Sequence, residues 1–432
     1  MQYFTGKDML ATPEMIHEQT QLSRLEELLP EWRRVPLYNT FIAQRPASGD
    51  ILAALNSFPL TGKTEMRASF PLLPPGQDLE ALLEQEVVEL EHTSGTSGEQ
   101  LPVLFRRGWW DTQEERTLRL NPFIARVLDA YPEARRATLT TPACNGRVCF
   151  SAWRSRTHRT FGKTLYVNQA RIPFVLKDED MARMAEEIGD WAPTFLDTDP
   201  VHAAWFALYC ERKGIRFPSL KFILCSYEFV SAVHRRIVQR VFGVPVFNLY
   251  GSTETGHLLM EDGQGKMRPS YENAFLEIVN PDARGIGDLA VTTLTNDYMP
   301  LLRYRIGDLV ERRIGPYDTT YVVHGRARDA IRARDGHRVT TWDVDQCFMR
   351  AGEGIRGIAH YQLQQSADGN GHLRYIPDAS VGGPQPGELK TVVARLGDLL
   401  QTTSPIEVAS VDMLPPTPSG KFRLTVAEQA GA

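Results

Sequence analysis

Phe222-Ile223-Leu224-Cys225 is a short apolar run, and its flanks decide the fold class. Upstream, Asp180 to Ile188 has helical spacing, Thr194-Phe195-Leu196 is a second apolar run, and Val201 to Lys213 is again helical. Downstream, Val233 to Phe242 reads as helix, and Val244 to Leu249 reads as a strand that stops at Tyr250-Gly251. Short apolar runs alternating with longer helical stretches predict a mainly parallel sheet covered by helices, with ligands at the strand ends.

The pattern changes on both sides of this core. Glu14 to Phe41 carries leucines at helical spacing (Leu22, Leu25, Leu28, Leu29) and is broken at Pro36, so it reads as a helical lead-in. From about residue 271, the runs 274–279, 288–293, 309–313 and 320–323 are separated by Gly, Pro and Asp turns, which predicts a small antiparallel barrel or sheet. A break at Gly325-Arg326 precedes a more highly charged segment that reads as an α+β module to Ala432. The expected domains are therefore 1–325 and 326–432, within an α/β class.

Composition narrows the function. With 432 residues, 42% of them hydrophobic, and a net charge of -5, the chain can bury a large core and lacks the strongly basic face that nucleic acid or an anionic membrane demands. One local exception is Arg154, Arg156, Arg159 and Lys163, interleaved with Trp153 and Phe161. That stretch reads as a solvated surface, with an anionic ligand such as the phosphates of coenzyme A as the alternative. Cys144, Cys149, Cys210, Cys225 and Cys347 lack paired metal or dithiol spacing and read as reduced thiols. No apolar run approaches the ~18 residues of a membrane span, and the first residues lack a hydrophobic signal core, so a cytoplasmic location is expected.

Thr93-Ser94-Gly95-Thr96-Ser97-Gly98 follows the strand-like run Val87-Val88-Glu89-Leu90. Glycines let a backbone approach phosphate oxygens closely, and hydroxyl and N–H groups donate to them. The next residues are Glu99, Gln100, Leu101 and Pro102, so no Walker lysine follows and the cation must come from elsewhere. A plain serine-threonine turn is the alternative reading of the loop taken alone.

Four further segments follow in order: Ser226-Tyr227-Glu228, Tyr250-Gly251-Ser252-Thr253-Glu254, Arg303-Tyr304-Arg305-Ile306-Gly307-Asp308, and Pro418-Ser419-Gly420-Lys421. With the hydroxyl loop they resemble the adenylate-forming acyl-ligase superfamily of acyl-CoA synthetases, peptide-synthetase adenylation domains and luciferases. Within it the chain looks most like the phenylacetate-CoA ligase branch. The phrases that carry this are Trp32-Arg33-Arg34-Val35-Pro36-Leu37-Tyr38, Phe58-Pro59-Leu60-Thr61-Gly62-Lys63, and Thr292-Thr293-Leu294 running on to Met299-Pro300-Leu301-Leu302-Arg303.

The resemblance implies a large N-terminal domain, a small mobile C-terminal lid, and a division of labour. Thr93 to Gly98 would hold the β- and γ-phosphates. Glu254 would offer the hard carboxylate oxygen that magnesium prefers, and Thr253 a hydroxyl to the α-phosphate. Read alone, Glu254 is an ordinary helix-start acid. Asp308 would accept from the ribose hydroxyls. Tyr227 or Tyr250 would stack on adenine, with Ser226, Glu228, Gly251 and Ser252 around it. Arg326 matches the arginine at the start of the family's C-terminal domain, and the hinge falls on Arg328 or Asp329, a departure from the family pattern. Lys421 would be the missing cation, bridging substrate carboxylate and phosphate oxygens.

The acid pocket is read at Asn145, Arg147, Phe150 and Asn248, polar enough for a hydroxylated ring. The resemblance implies an ATP- and magnesium-dependent ligase that converts a carboxylic acid, aromatic as first choice, to an acyl-adenylate. A thiol then takes the acyl group, coenzyme A first and a carrier protein second. Two alternatives stay open: an enzyme that adenylates and stops, or that adenylylates an unusual cofactor acid, and a non-catalytic nucleotide-binding protein.

Overall fold

The computed structural model of the chain describes residues 13–32, 34–42, 51–93, 100–140, 155–168, 176–316, 318–350, 353–417 and 419–428. Its centre is a twelve-stranded sheet. Strands Thr164–Tyr166, Arg136–Thr138, Phe195–Thr198, Phe222–Cys225 and Val246–Ser252 lie side by side in parallel, in that order. Phe195–Thr198 and Phe222–Cys225 are buried at every position, as expected for strands covered on both faces.

The helices between these strands have sequence-encoded ends. Pro200–Lys213 starts at Asp199, whose side chain accepts from the Val201 and His202 N–H groups, has Pro200 in its first turn and ends at Gly214 with φ 68°. Ala232–Phe242 is capped by Ser231, which accepts from His234 N–H, and ends at Gly243, also with φ 68°. These short connections hold Asp197, Ser226 to Glu228 and Tyr250 to Glu254 at one edge, at the C-terminal ends of the strands.

The antiparallel part is not a separate barrel. Val246–Ser252 pairs antiparallel with Gly256–Glu261, and the same sheet continues through Met267–Pro269, Thr319–Arg326, Tyr304–Ile314, Ile286–Thr293 and Ala274–Val279. The strands Gly256–Glu261 and Met267–Pro269 escaped the sequence reading because His257, Glu261 and Arg268 interrupt their apolar pattern. Thr319–Arg326 also carries the chain through the expected break, with Asp308 paired opposite Arg326.

The remaining residues build a four-stranded sheet in the order Glu407–Ser410, Gly371–Pro377, Ile358–Gln365, Thr425–Ala427, packed with helices Thr341–Cys347 and Pro386–Leu400. Its apolar residues, such as Val344, Phe348, Tyr361 and Leu396, join one buried cluster with Leu196, Ile223 and Val233 of the parallel core. The C-terminal module is thus docked across the strand ends.

Helices Pro13–Trp32 and Pro36–Ile42 form the lead-in, and the three phrases that carried the resemblance meet here. Tyr38 donates to Pro300 O (2.8 Å), Thr61 Oγ1 donates to Leu302 O (2.8 Å), and Arg303 Nη1 donates to Phe58 O (2.7 Å). The basic stretch resolves differently from its reading as solvated surface. Arg159 is fully buried, with both terminal nitrogens on Glu187 (3.0 and 2.6 Å), while Arg156 and Lys163 pair with Asp190 and Glu133 at the surface. Those groups are already committed to protein partners; Trp153 and Arg154 lie outside the described residues. Cys210, Cys225 and Cys347 are buried and free, and burial pushes each thiol up to about 12. Cys144 and Cys149 lie outside the described residues. Among the described residues no helix is long and apolar enough to cross a membrane.

Candidate active site

The hydroxyl loop is held at its foot. Strands Val88–His92 and Pro102–Arg106 form an antiparallel hairpin, and Thr93 closes it: its N–H donates to Leu101 O and its Oγ1 accepts from Leu101 N–H, both at 2.9 Å. Ser94, Gly95, Thr96, Ser97 and Gly98 lie outside the described residues, as do Asn145, Arg147 and Phe150.

Tyr250, Gly251 and Ser252 end the strand Val246–Ser252, and a turn through Thr253 and Glu254 leads into Gly256–Glu261. The turn is pinned by Thr255 N–H on Ser252 O (3.2 Å) and by the Ser252 and Thr255 hydroxyls at 3.0 Å. Gly251 is required here, since a Cβ would lie 2.2 Å from Gly256 O. Glu254 is only 4% exposed. Burial works against its charge, but Lys63 Nζ at 3.7 Å and the Tyr304 hydroxyl at 2.9 Å, both on Oε1, help hold the carboxyl below the usual carboxylate range. Lys63 and Tyr304 were quoted in the sequence only as parts of family phrases. Their approach to Glu254 depends on the long-range contacts of Thr61 and Arg303, which no local pattern announces.

Asp308 takes the Tyr250 hydroxyl on Oδ2 (2.7 Å) and lies 3.1 Å from Arg326 Nε through Oδ1. Arg326 also donates to Ile306 O (3.0 Å), so it is fixed at both ends. Asn248 is partly buried, and its N–H donates to Glu261 (2.7 Å).

Lys421 reaches this edge from the far end of the chain. Thr417 caps its turn, donating from Oγ1 to Lys421 O (3.0 Å) and accepting from Lys421 N–H (3.2 Å), with Gly420 at φ 85°. The ammonium then donates to Tyr227 O (3.1 Å), and the next residue, Phe422, donates its N–H to Glu228 Oε1 (2.9 Å). Burial pushes the Glu228 carboxyl up and the Lys421 ammonium down, and the charge of each pulls the other back. Of the two residues expected at the hinge, Asp329 lies 2.7 Å from Arg423 Nε and 3.7 Å from Arg328 Nε.

Thus Lys421, Tyr227, Glu228, Tyr250, Asp308, Arg326 and Glu254 meet at one edge. The chain is 25% identical over 392 residues to a phenylacetate-coenzyme A ligase of Pseudomonas putida, covering 82% of this chain and 79% of that one. It is 26% identical over 389 residues to a phenylacetate-coenzyme A ligase of Thermus thermophilus, covering 81% and 78%. The chain is similar to phenylacetate-coenzyme A ligases over about four fifths of its length. No protein-family model matches it. Among solved structures, a 2-hydroxyisobutyryl-CoA ligase in complex with 2-HIB-AMP superposes with a TM-score of 0.69 at 16% identity, over 99% of this chain and 94% of that one. An anthranilate CoA ligase in complex with anthranoyl-AMP gives 0.55 at 14% identity, over 96% and 80%. The chain therefore has the fold of these adenylate-forming CoA ligases.

Proposed function

We propose that the chain uses ATP to activate a carboxylic acid, an aromatic one as first choice, and passes the acyl group to the thiol of coenzyme A. A carboxylate oxygen attacks the α-phosphorus, pyrophosphate leaves, and the thiolate sulfur then displaces AMP from the acyl carbon. The observation that carries the reading is the meeting of Lys421 with the Tyr250, Asp308 and Glu254 edge, supported by two relatives that bear the ligase name.

Each residue has a task in this reading. Asp308 accepts from the ribose hydroxyls, Tyr250 or Tyr227 stacks on adenine, and Thr253 donates to the α-phosphate. Lys421 neutralises the charge that gathers between acid and phosphate, a term that preorganised donors supply without reorganisation at the moment of reaction. Magnesium fits Glu254, a buried carboxylate held in its charged form beside Lys63 and Tyr304: Glu254 would hold the ion together with ATP phosphates, and the ion would neutralise charge on the leaving pyrophosphate. In this reading residues 326–432 act as the lid, and the enzyme works in the cytoplasm, where ATP and coenzyme A are at hand.

A panel of aromatic and aliphatic acids, screened for acid-dependent pyrophosphate exchange and then by mass spectrometry with coenzyme A, tests the reading. An acyl-CoA product is expected. ATP binding with no acid-dependent exchange across the panel overturns it, and exchange without a thioester confines the enzyme to adenylation.

A further inference from the structure

Tyr227 sits in a rare backbone conformation at the centre of the site. Its φ is 71°, and the Glu228 N–H donates to Ser226 O (2.8 Å), which closes a three-residue turn around it. A γ-turn with φ about +75° is strained, and for a non-glycine residue it persists only where surrounding contacts over-determine it. The contact that does so is visible. Tyr227 donates its hydroxyl to Asp197 Oδ2 (3.0 Å), and Ser226 donates its own to Asp197 Oδ1 (2.9 Å).

Asp197 is itself anchored. It belongs to the strand Phe195–Thr198, is 4% exposed, and lies 3.5 Å from Arg136 Nη1, an arginine that also pairs with Glu114. One carboxylate therefore grips both the first and the central residue of the turn. The turn in turn presents two acceptors to the C-terminal module: Tyr227 O to the Lys421 ammonium and Glu228 Oε1 to the Phe422 N–H.

We propose that Asp197 is a positioning residue that acts through Tyr227 to aim Lys421. An ammonium has three N–H donors and no intrinsic orientation. With one donor fixed on Tyr227 O, the other two are left for the acid and the phosphate. The catalytic role of Lys421 rests on the proposed function; the Asp197, Tyr227 and Lys421 linkage rests on geometry alone. A glycine at 227 would adopt the turn without strain but would have no hydroxyl to tie it to Asp197, so the strained tyrosine is explained by the tether.

The test has two readouts. In ligand-free protein, the rate at which an amine-acetylating reagent modifies Lys421, followed by peptide mass spectrometry, reports the hold on the ammonium without any turnover. Tyr227→Phe and Asp197→Ala are expected to raise that rate on the order of tenfold, with Asp197→Asn, whose amide oxygen still accepts, falling between them and wild type. Rates equal to wild type in both Tyr227→Phe and Asp197→Ala overturn the proposal.

In turnover, the same two variants are expected to lower kcat of acid-dependent pyrophosphate exchange by roughly 10- to 100-fold, the scale of a small misplacement of a catalytic group. In Asp197→Ala, KM for ATP should stay within about threefold, and thioester formation from synthetic acyl-adenylate should be spared, because Lys421 is not asked to act there. Equal losses in both half-reactions would mark a general structural role and overturn the proposal. A wild-type protein without exchange removes the proposed function, while the acetylation rates still decide the tether.

Discussion

The Tyr250 hydroxyl donates to Asp308 Oδ2 across 2.7 Å, joining two residues 58 positions apart whose strands are separated in the sheet by three others. Arg326 Nε lies 3.1 Å from the other carboxylate oxygen, so both oxygens of Asp308 are already held, and in the proposed function the carboxylate is oriented for the ribose. Burial and the Asp308 charge push the Tyr250 phenol well up, which keeps it a donor. Tyr250→Phe should therefore weaken ATP binding by about tenfold, the scale of one hydrogen bond to a charged group. Asp308→Ala should weaken it on the order of 10²-fold, since it also takes from Arg326 its carboxylate partner. Titration calorimetry with ATP measures both; an unchanged affinity in Asp308→Ala counts against the ribose role.

For Lys421→Ala we expect adenylate formation to fall on the order of 10²-fold or more, with thioester formation from synthetic acyl-adenylate preserved. The expectation comes from the hydroxyl loop, which brings no cation, and from the reach of Lys421 Nζ to Tyr227 O. Normal pyrophosphate exchange in this variant would sink the assignment.

Much of this candidate site was legible because the residues that the structure brings together stand in short local phrases. Glu254, Asp308 and Lys421 each stand in a string with its own turn residues, and Pro200, Gly214, Ser231 and Gly243 mark helix ends that place the strand edges. What stayed hidden depends on long-range packing. Lys63 reaches Glu254 only after Thr61 has paired with the 302–305 segment, and Asp197 reads as one polar residue after a buried strand until Tyr227 turns back toward it. Arg159 was misread for the same reason: its partner Glu187 lies a helix away, so a basic run in sequence conceals a buried ion pair.

Lys63 offers a test of Glu254 through pH. It is the largest favourable influence on that carboxylate, opposing the burial that would otherwise raise it. Removing the cation in Lys63→Ala should raise the Glu254 pKa, so a reaction that needs the carboxylate should lose activity at a higher pH on its acid side. Lys63→Arg should keep the wild-type limb. The pH profile of pyrophosphate exchange at saturating magnesium separates the cases, and an acid limb that stays in place in Lys63→Ala denies the pairing its role.

Beneath the site, His234 of the helix Ala232–Phe242 and His360 of the C-terminal sheet meet with Nε2 and Nδ1 2.9 Å apart. Trp205 and Phe422 pack their rings edge-on against His360, so the pair is shielded from water on both sides of the module boundary. Burial lowers His234 to about 4 and His360 well below its ordinary value, with Asp199 the one charge that favours protonated His234. In the unfolded chain these imidazoles titrate near 6.5, so between that pH and about 4 the unfolded state binds more protons and stability must fall as pH falls. The His234 shift alone corresponds to on the order of 3 kcal/mol across that window. Thermal melts from pH 7.5 to 4.5, in wild type and in the double variant His234→Phe with His360→Phe, measure it. The wild-type melting temperature should drop more steeply below pH 6.5 than that of the double variant, and parallel profiles would show that the buried imidazoles do not govern the acid limit of the docked module.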